Sequence, residues 1–207
     1  MPSLGQSFDD GLRKSLGFSW LIGVDEAGRG PLAGPVVVAA VLLGPRPVPE
    51  LWKAKDSKLM TALQRDKLFE VIRLEAQAVS VAWAYPSRIE RDNILRATLD
   101  SMRRAVERID HPGLVLVDGN RPIPSLRRRQ LAIIDGDRMS LAVSCASIVA
   151  KVCRDRWMAR LDRRYPGYGL ADHKGYCTES HLAALRKLGP SPVHRKTFTP
   201  VQELLSR

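Results

Sequence analysis

Residues 20 to 44 read WLIGVDEAGRGPLAGPVVVAAVLLG, two apolar runs separated by a charged segment rich in glycine and proline. Trp20 to Val24 and Val36 to Leu43 are too short for helices of ordinary length. The second is valine-rich and bracketed by Gly34, Pro35 and Gly44, so both read as buried strands and together as a hairpin-like pair. Asp25 and Glu26 close the first run. Neighbouring side chains on a regular strand point to opposite faces, so both acids serve one site only if the strand ends or bends there. Gly28 and Gly30 supply the freedom to bend. Gly28, Gly30 and Gly34 do not make a dinucleotide fingerprint, because the interval after Gly30 is one residue too long and Pro31 lacks an amide donor. Glycines do let backbone amides approach a ligand closely, as reading a sugar hydroxyl or a phosphate requires.

Outward from this segment, apolar runs alternate with amphipathic stretches, which predicts an α/β fold in one domain. Thr61 to Gln64 matches a capping box that opens a helix with Leu68, Phe69 and Ile72 on one face, ending near Ala76. Val79 to Ala84 reads as a strand. Ser87 opens a long helix in which Leu95, Leu99, Met102, Val106 and Ile109 are read as core alone, until His111 and Pro112 stop it. Gly113 to Val117 is a strand ending in Asp118, Gly119 and Asn120, a turn at a carboxyl end where α/β proteins place their chemistry. Leu131 to Ile134 is a further strand. Leu141, Cys145, Ile148 and Val152 then mark a helix running towards Arg164. Tyr165 to Tyr176 reads as loop, and Thr178 caps a last helix with Leu182, Leu185 and Leu188 before Gly189. Val201, Leu204 and Leu205 read as a packed or frayed end.

The 207 residues carry 33 Lys and Arg against 22 Asp and Glu, a formal charge of +11, which fits a polyanionic partner or a merely basic protein. The longest apolar stretch, Val36 to Leu43, is far too short to span a membrane. Asp9 and Asp10 near the start, without a hydrophobic signal core, predict a cytoplasmic protein. Three cysteines, Cys145, Cys153 and Cys177, suit reduced thiols. With His173 they make four possible ligands for zinc, but no Cys-x-x-Cys spacing supports such a site.

Asp118 adds a third carboxylate at a strand end. Asp137 adds a fourth, after Asp135 and Gly136. Taken singly, such residues are as well explained as turn formers or helix caps. Taken together, hard oxygen ligands at several strand ends suit Mg2+ or Mn2+, which bind phosphate oxygens and activate water.

These residues lie in stretches that resemble a known family. Gly23 to Pro35 (GVDEAGRGPLAGP), Asp56 to Lys58, Ile94 to Thr98 (ILRAT), Val117 to Asn120 (VDGN), Gly136 with Asp137, Ala146 to Asp155 (ASIVAKVCRD), Tyr168 to Thr178 (YGLADHKGYCT) and His194 to Phe198 (HRKTF) are similar to bacterial-type ribonuclease HII, a type 2 ribonuclease H. The resemblance implies a ribonuclease H-like fold over residues 1–207: a central mixed β-sheet flanked by α-helices, with a helical C-terminal portion from about residue 165 that helps hold substrate. It implies Asp25, Glu26, Asp118 and Asp137 as the catalytic, metal-binding set. Asp137 is taken over Asp135 because it follows the glycine, although on an extended segment both would face the same way. It also assigns Gly28, Arg29 and Gly30 to the ribose 2′-hydroxyl through their backbone, and Tyr176 to the neighbouring sugar. The 2′-hydroxyl is the group that separates RNA from DNA at one nucleotide. Lys58, Ser147, Lys151 and Arg195 are phosphate-contact candidates, and Arg127, Arg128 and Arg129 read as an exposed basic loop. Three departures from the family pattern are Cys145 for a small residue, Asp135 for a basic one and Thr197 for serine. An extra carboxylate at Asp135 would raise repulsion within the site.

The implied activity is hydrolysis of the RNA strand of RNA/DNA hybrids, and cleavage 5′ of single ribonucleotides in duplex DNA, by a monomer using Mg2+ or Mn2+. Two alternatives stand beside it. A polynucleotidyl transferase of the integrase or resolvase kind would share the acids but act on DNA. A non-catalytic nucleic-acid-binding module would bind without magnesium-dependent cleavage.

Overall fold

The computed structural model describes residues 3–54 and 60–206; the Asp56 to Lys58 stretch, with its phosphate-contact candidate Lys58, lies outside the described residues. Strand β1 (Leu21–Ala27) runs antiparallel to β2 (Val36–Leu43), in a register pairing Leu21 with Leu43 and Ala27 with Val37. β3 (Ala78–Ala84) pairs antiparallel with β2. On the other side of β1, β4 (Leu114–Asp118) lies parallel, and β5 (Gln130–Ile133) lies parallel to β4. The described residues thus form a mixed sheet in the order β3-β2-β1-β4-β5. The helices in chain order are α1 (Leu4–Leu16), α2 (Ala62–Glu75), α3 (Pro86–Asp92), α4 (Ile94–Glu107), α5 (Gly136–Met139), α6 (Leu141–Arg164), α7 (Leu170–His173), α8 (Glu179–Leu188) and α9 (Thr199–Leu205).

The period of two along each strand divides the core in two. Leu21, Ala39, Val41, Leu43, Leu114 and Leu116 face α2 and the first half of α6, whereas Ile22, Val24, Val38, Ala40, Val115 and Val117 face α3 and α4. Because both faces are covered, the central strands read as unbroken apolar runs rather than alternating ones. Gly23 lets α6 lie directly on β1: a Cβ there would stand 2.0 Å from the carbonyl carbon of Ala142. A third cluster, with Leu32, Ala33, Met158, Leu170, Leu185 and Val201, binds the C-terminal helices to the turn that follows β1.

Several local expectations are met. Thr61 and Gln64 form the capping box of α2, Thr178 caps α8, and Val201 packs α9 into the core. Others are corrected. The long helix expected from Ser87 is broken at Asn93, which takes φ 64° and caps α4 by accepting from the Arg96 amide. The expected Tyr165 to Tyr176 loop contains the single turn α7, and α8 is followed by α9. Helix α1 was not foreseen. Its buried Asp9 accepts a hydrogen bond from the Ala142 amide at 3.0 Å, so the acid at the chain's start caps the helix under the sheet. Arg128 is not a free loop cation, since it donates to the carbonyls of Ile109 and His111.

Candidate active site

The last paired positions of β1 and β4 are Val24 and Val117, and one step beyond them come Asp25 and Asp118. Two parallel strands ending together thus bring acids from distant parts of the chain to one edge. Strand β1 does not stop at Val24 as expected. It continues to Ala27, so Glu26 projects from the opposite face to Asp25. Both still reach the same place, because the sheet's edge opens there into a cleft of about 550 Å3 lined by Asp25, Glu26 and Asp118 together with Gly28, Arg29, Gly30, Ser147, Lys151 and Tyr176. A second lobe, shared through Glu26, Arg29 and Asp118, runs along Leu95, Thr98 and Leu99 of α4 to Asn120 and Arg121. Leu95 and Leu99 were read as core; they are half-buried groove wall.

The acids are held in place from the backbone. The Gly136 amide donates to Asp118 Oδ1 at 2.7 Å, and the Glu26 amide donates to Asp25 Oδ1 at 2.6 Å. Asp25 is buried, and burial pushes its pKa well above the usual carboxylate range, with the charges of Glu26 and Asp118 adding to the rise; the Ser147 hydroxyl and the Glu26 amide oppose it. The chain between β5 and α6 is not extended. Asp135 sits exposed in a left-handed conformation, φ 53° and ψ 37°, while Gly136 opens α5 and Asp137 is buried. Asp137 therefore stands next to the glycine that holds Asp118.

This donor set suits a hard divalent cation: three carboxylates meet in one cleft, one of them desolvated and repelled by the others. Among the described residues no three His, Cys, Asp or Glu side chains are already drawn in to a closed ligand set. The acids form an open arrangement whose mutual repulsion a cation would relieve.

Around the acids the rim is basic. Arg29 pairs with Glu26 at 3.4 Å, and Lys151 and Arg65 flank Asp155 at 2.8 and 3.8 Å. Arg65 and Arg154 line the cleft without having been singled out in the sequence. Arg154 is 1% exposed; its Nε and Nη2 donate to the carbonyls of Pro35 and Ala33, while Nη1 is buried with no hydrogen-bond partner among the described residues. Its guanidinium lies 5.9 Å from the centre of the Tyr176 ring. Such a nitrogen can take an oxyanion. Its position in the ASIVAKVCRD stretch was the available signal, but a burial pattern cannot be read from a single arginine.

Arg195 corrects an expectation. Proposed as a phosphate contact, it is 0% exposed. Its Nη1 donates to the Arg29 carbonyl at 2.7 Å, Nη2 to Gly28 at 2.6 Å and Gly34 at 2.9 Å, and Nε to Gly34 at 3.0 Å. Burial, with the neighbouring charge of Arg154, pushes its pKa down to about 9. The guanidinium fork thus clamps the glycine turn from behind and does not reach solvent. Gly28 takes φ +96°, and a Cβ on it would lie 1.9 Å from Arg154 Nε; Gly30 is open except for the Tyr176 ring, 3.9 Å from a Cβ built there. Tyr176 is 45% exposed over that turn.

The family model described as ribonuclease HII matches residues 22–201. A ribonuclease HII of Albidiferax ferrireducens is 57% identical over 185 residues, covering 88% of this chain and 87% of its own, and that of Geobacter sulfurreducens is 52% identical over 191 residues, covering 91% and 86%. Among solved structures, the ribonuclease H2 of Pyrococcus horikoshii OT3 superposes with a TM-score of 0.78 at 25% identity, covering 91% of this chain and 98% of that one.

Proposed function

The chain belongs to the ribonuclease HII family, enzymes that hydrolyse the RNA strand of RNA/DNA hybrids with a divalent metal, and we propose that it also cuts duplex DNA on the 5′ side of a single embedded ribonucleotide. The products on this reading are 3′-hydroxyl and 5′-phosphate ends, and the role is removal of ribonucleotides from DNA. The observation that carries it is the meeting, in one cleft, of Asp25, Glu26 and Asp118 with the glycine turn and Tyr176.

Asp25, Glu26, Asp118 and Asp137 are read as the catalytic set and as the residues that would hold Mg2+ or Mn2+. Two such cations, when bound, would activate water and stabilise the entering and leaving oxygens of an in-line displacement. The protein's own part is positioning. Ser147 and the Glu26 amide orient Asp25, and the Gly136 amide orients Asp118. The backbone of Gly28, Arg29 and Gly30, with no side chain on the turn's glycines, is read as the detector of the 2′-hydroxyl, with Tyr176 against the adjoining sugar. Arg29, Arg65, Lys151 and the unpartnered Nη1 of Arg154 are read as contacts to the phosphate backbone.

One assay tests this. A duplex carrying a single ribonucleotide, an RNA/DNA hybrid and an all-DNA duplex are each incubated with the protein in Mg2+, in Mn2+ and with chelator. Cleavage of the first two, only with metal, is expected. Equal cutting of the all-DNA duplex would overturn the specificity, and cutting in chelator would overturn the metal assignment.

A further inference from the structure

Behind Tyr176 lies a group of three histidines that the reaction does not use. His181 and His194 are both 0% exposed. His181 Nδ1 is 2.9 Å from the Tyr176 carbonyl oxygen, and His181 Nε2 is 3.0 Å from His194 Nε2. The Ser191 amide is 3.0 Å from His194 Nδ1. His173 stacks on His181, ring centres 4.3 Å apart, while its Nδ1 accepts from the Gly175 amide and its Nε2 is 2.7 Å from the Tyr168 carbonyl.

The chemistry of these partners allows a single proton arrangement. A backbone amide only donates, so His194 Nδ1 is an acceptor and a neutral ring carries its proton on Nε2. That proton points at His181 Nε2, which must accept it. The proton of His181 is then on Nδ1, where the Tyr176 carbonyl receives it. A proton added to His181 would set its Nε2–H against that of His194 across 3.0 Å, and one added to His194 would set its Nδ1–H against the Ser191 amide; burial with the proximity of neighbouring rings holds both basicities down, His194 to about 4. By the same logic His173 carries its proton on Nε2.

We propose that His181, backed by His194, is a positioning residue for Tyr176: a one-way hydrogen-bond relay from Ser191 through His194 and His181 fixes the tyrosine's carbonyl, and with it the placement of the ring over Gly30. The relay deepens, and rests on, the reading of Tyr176 as the sugar contact. Its other anchor is the sheet of segments beside it, where the Leu32 amide donates to the Gly175 carbonyl and the Gly34 amide to the Val193 carbonyl. The tyrosine and the glycine turn it faces are therefore tied to one frame, and the histidine pair sets their relative height.

Ring 15N–1H correlation spectra of the full chain test the relay directly. His194 should appear as the neutral Nε2–H form and His181 as the neutral Nδ1–H form at pH 7.5; a protonated His181, or one carrying its hydrogen on Nε2, overturns the proposal. Kinetics test the positioning. His181→Phe keeps the stack on His173 and removes both polar ends, and should lower kcat/KM on the single-ribonucleotide duplex about tenfold, the worth of one well-placed hydrogen bond. His181→Asn, whose amide nitrogen replaces the Nδ1 donor, should recover most of that. In a Tyr176→Ala background the His181→Phe loss should vanish, because the tyrosine through which it acts is gone. Equal losses in both backgrounds, with the wild type active, overturn this proposal alone; a wild type that leaves the ribonucleotide uncut overturns the functional reading as well.

Discussion

Replacing Gly28 by alanine should unfold the protein more readily than any other single methyl added to the glycine turn. The new Cβ would fall 1.9 Å from Arg154 Nε and 2.4 Å from its Cδ, at a residue with φ +96°. The left-handed conformation alone costs an L-residue about 1–2 kcal/mol. Arg154 cannot swing aside cheaply, because it is buried and donates to Pro35 and Ala33. Losing those two bonds from a charged donor adds about 3 kcal/mol or more. The sum, about 4–6 kcal/mol, is a large share of the 5–15 kcal/mol that holds a typical domain folded. At a urea dependence of about 2.5 kcal/mol per molar, the unfolding midpoint should fall by about 2 M. Gly30→Ala is the control: its Cβ meets only the Tyr176 ring at 3.9 Å, so its stability should stay within about 0.5 kcal/mol of wild type while cleavage drops. Equal midpoints for the two variants would refute the packing argument.

Four further outcomes follow from the geometry. Asp118→Asn keeps the Oδ1 that accepts from the Gly136 amide and removes the charge, so the variant should fold normally, bind duplex and cut at background rate; full activity would sink the assignment. Binding by that inactive variant, measured by anisotropy between 50 and 200 mM salt, should show log–log slopes steeper than about −2, as neutralising several phosphates requires, and a flat affinity would count against a basic rim. Arg195→Lys should cost about 3 kcal/mol or more, since an ammonium lacks the planar fork that places four bonds on the carbonyls of Gly28, Arg29 and Gly34, yet leave the salt slope unchanged; a shallower slope would restore the phosphate role. Burial raises the Asp9 pKa to about 6 from 3.8, so the folded chain holds a proton that the unfolded chain has lost, and stability falls as pH rises across that window. Asp9→Asn removes this loss and should gain about 2 kcal/mol on wild type between pH 4 and pH 7, in urea titrations at the two values; a difference independent of pH would disprove it.

The strands and their acids were legible because apolar run length and turn chemistry are local properties: Val36 to Leu43 appears with its expected bounds, and Asp118 falls at a strand end as its following Gly119 and Asn120 imply. What the sequence withheld was burial of charge. Arg154, Arg195 and Asp9 look like any other surface ions in a chain of net charge +11, yet each is enclosed because a carbonyl or amide many positions away needs a partner. The break at Asn93 was hidden for a related reason, since a single residue of positive φ interrupts a helix without interrupting its apolar spacing. The pairing of Asp25 with Glu26 came out by a different route from the expected one, with the strand continuing and the cleft wrapping round its edge.

The parallel pairing of β1 with β4 has a consequence for assembly in time. Leu21 meets Leu114 across about ninety residues of intervening chain, whereas β1 and β2 are neighbours that meet almost at once. Closing the longer loop is entropically slower. During refolding, helical signal and the first hairpin should therefore arise before full cation affinity, because Asp118 joins Asp25 and Glu26 only when β4 docks on β1. The reactive centre therefore comes into being after the hairpin that carries half of it.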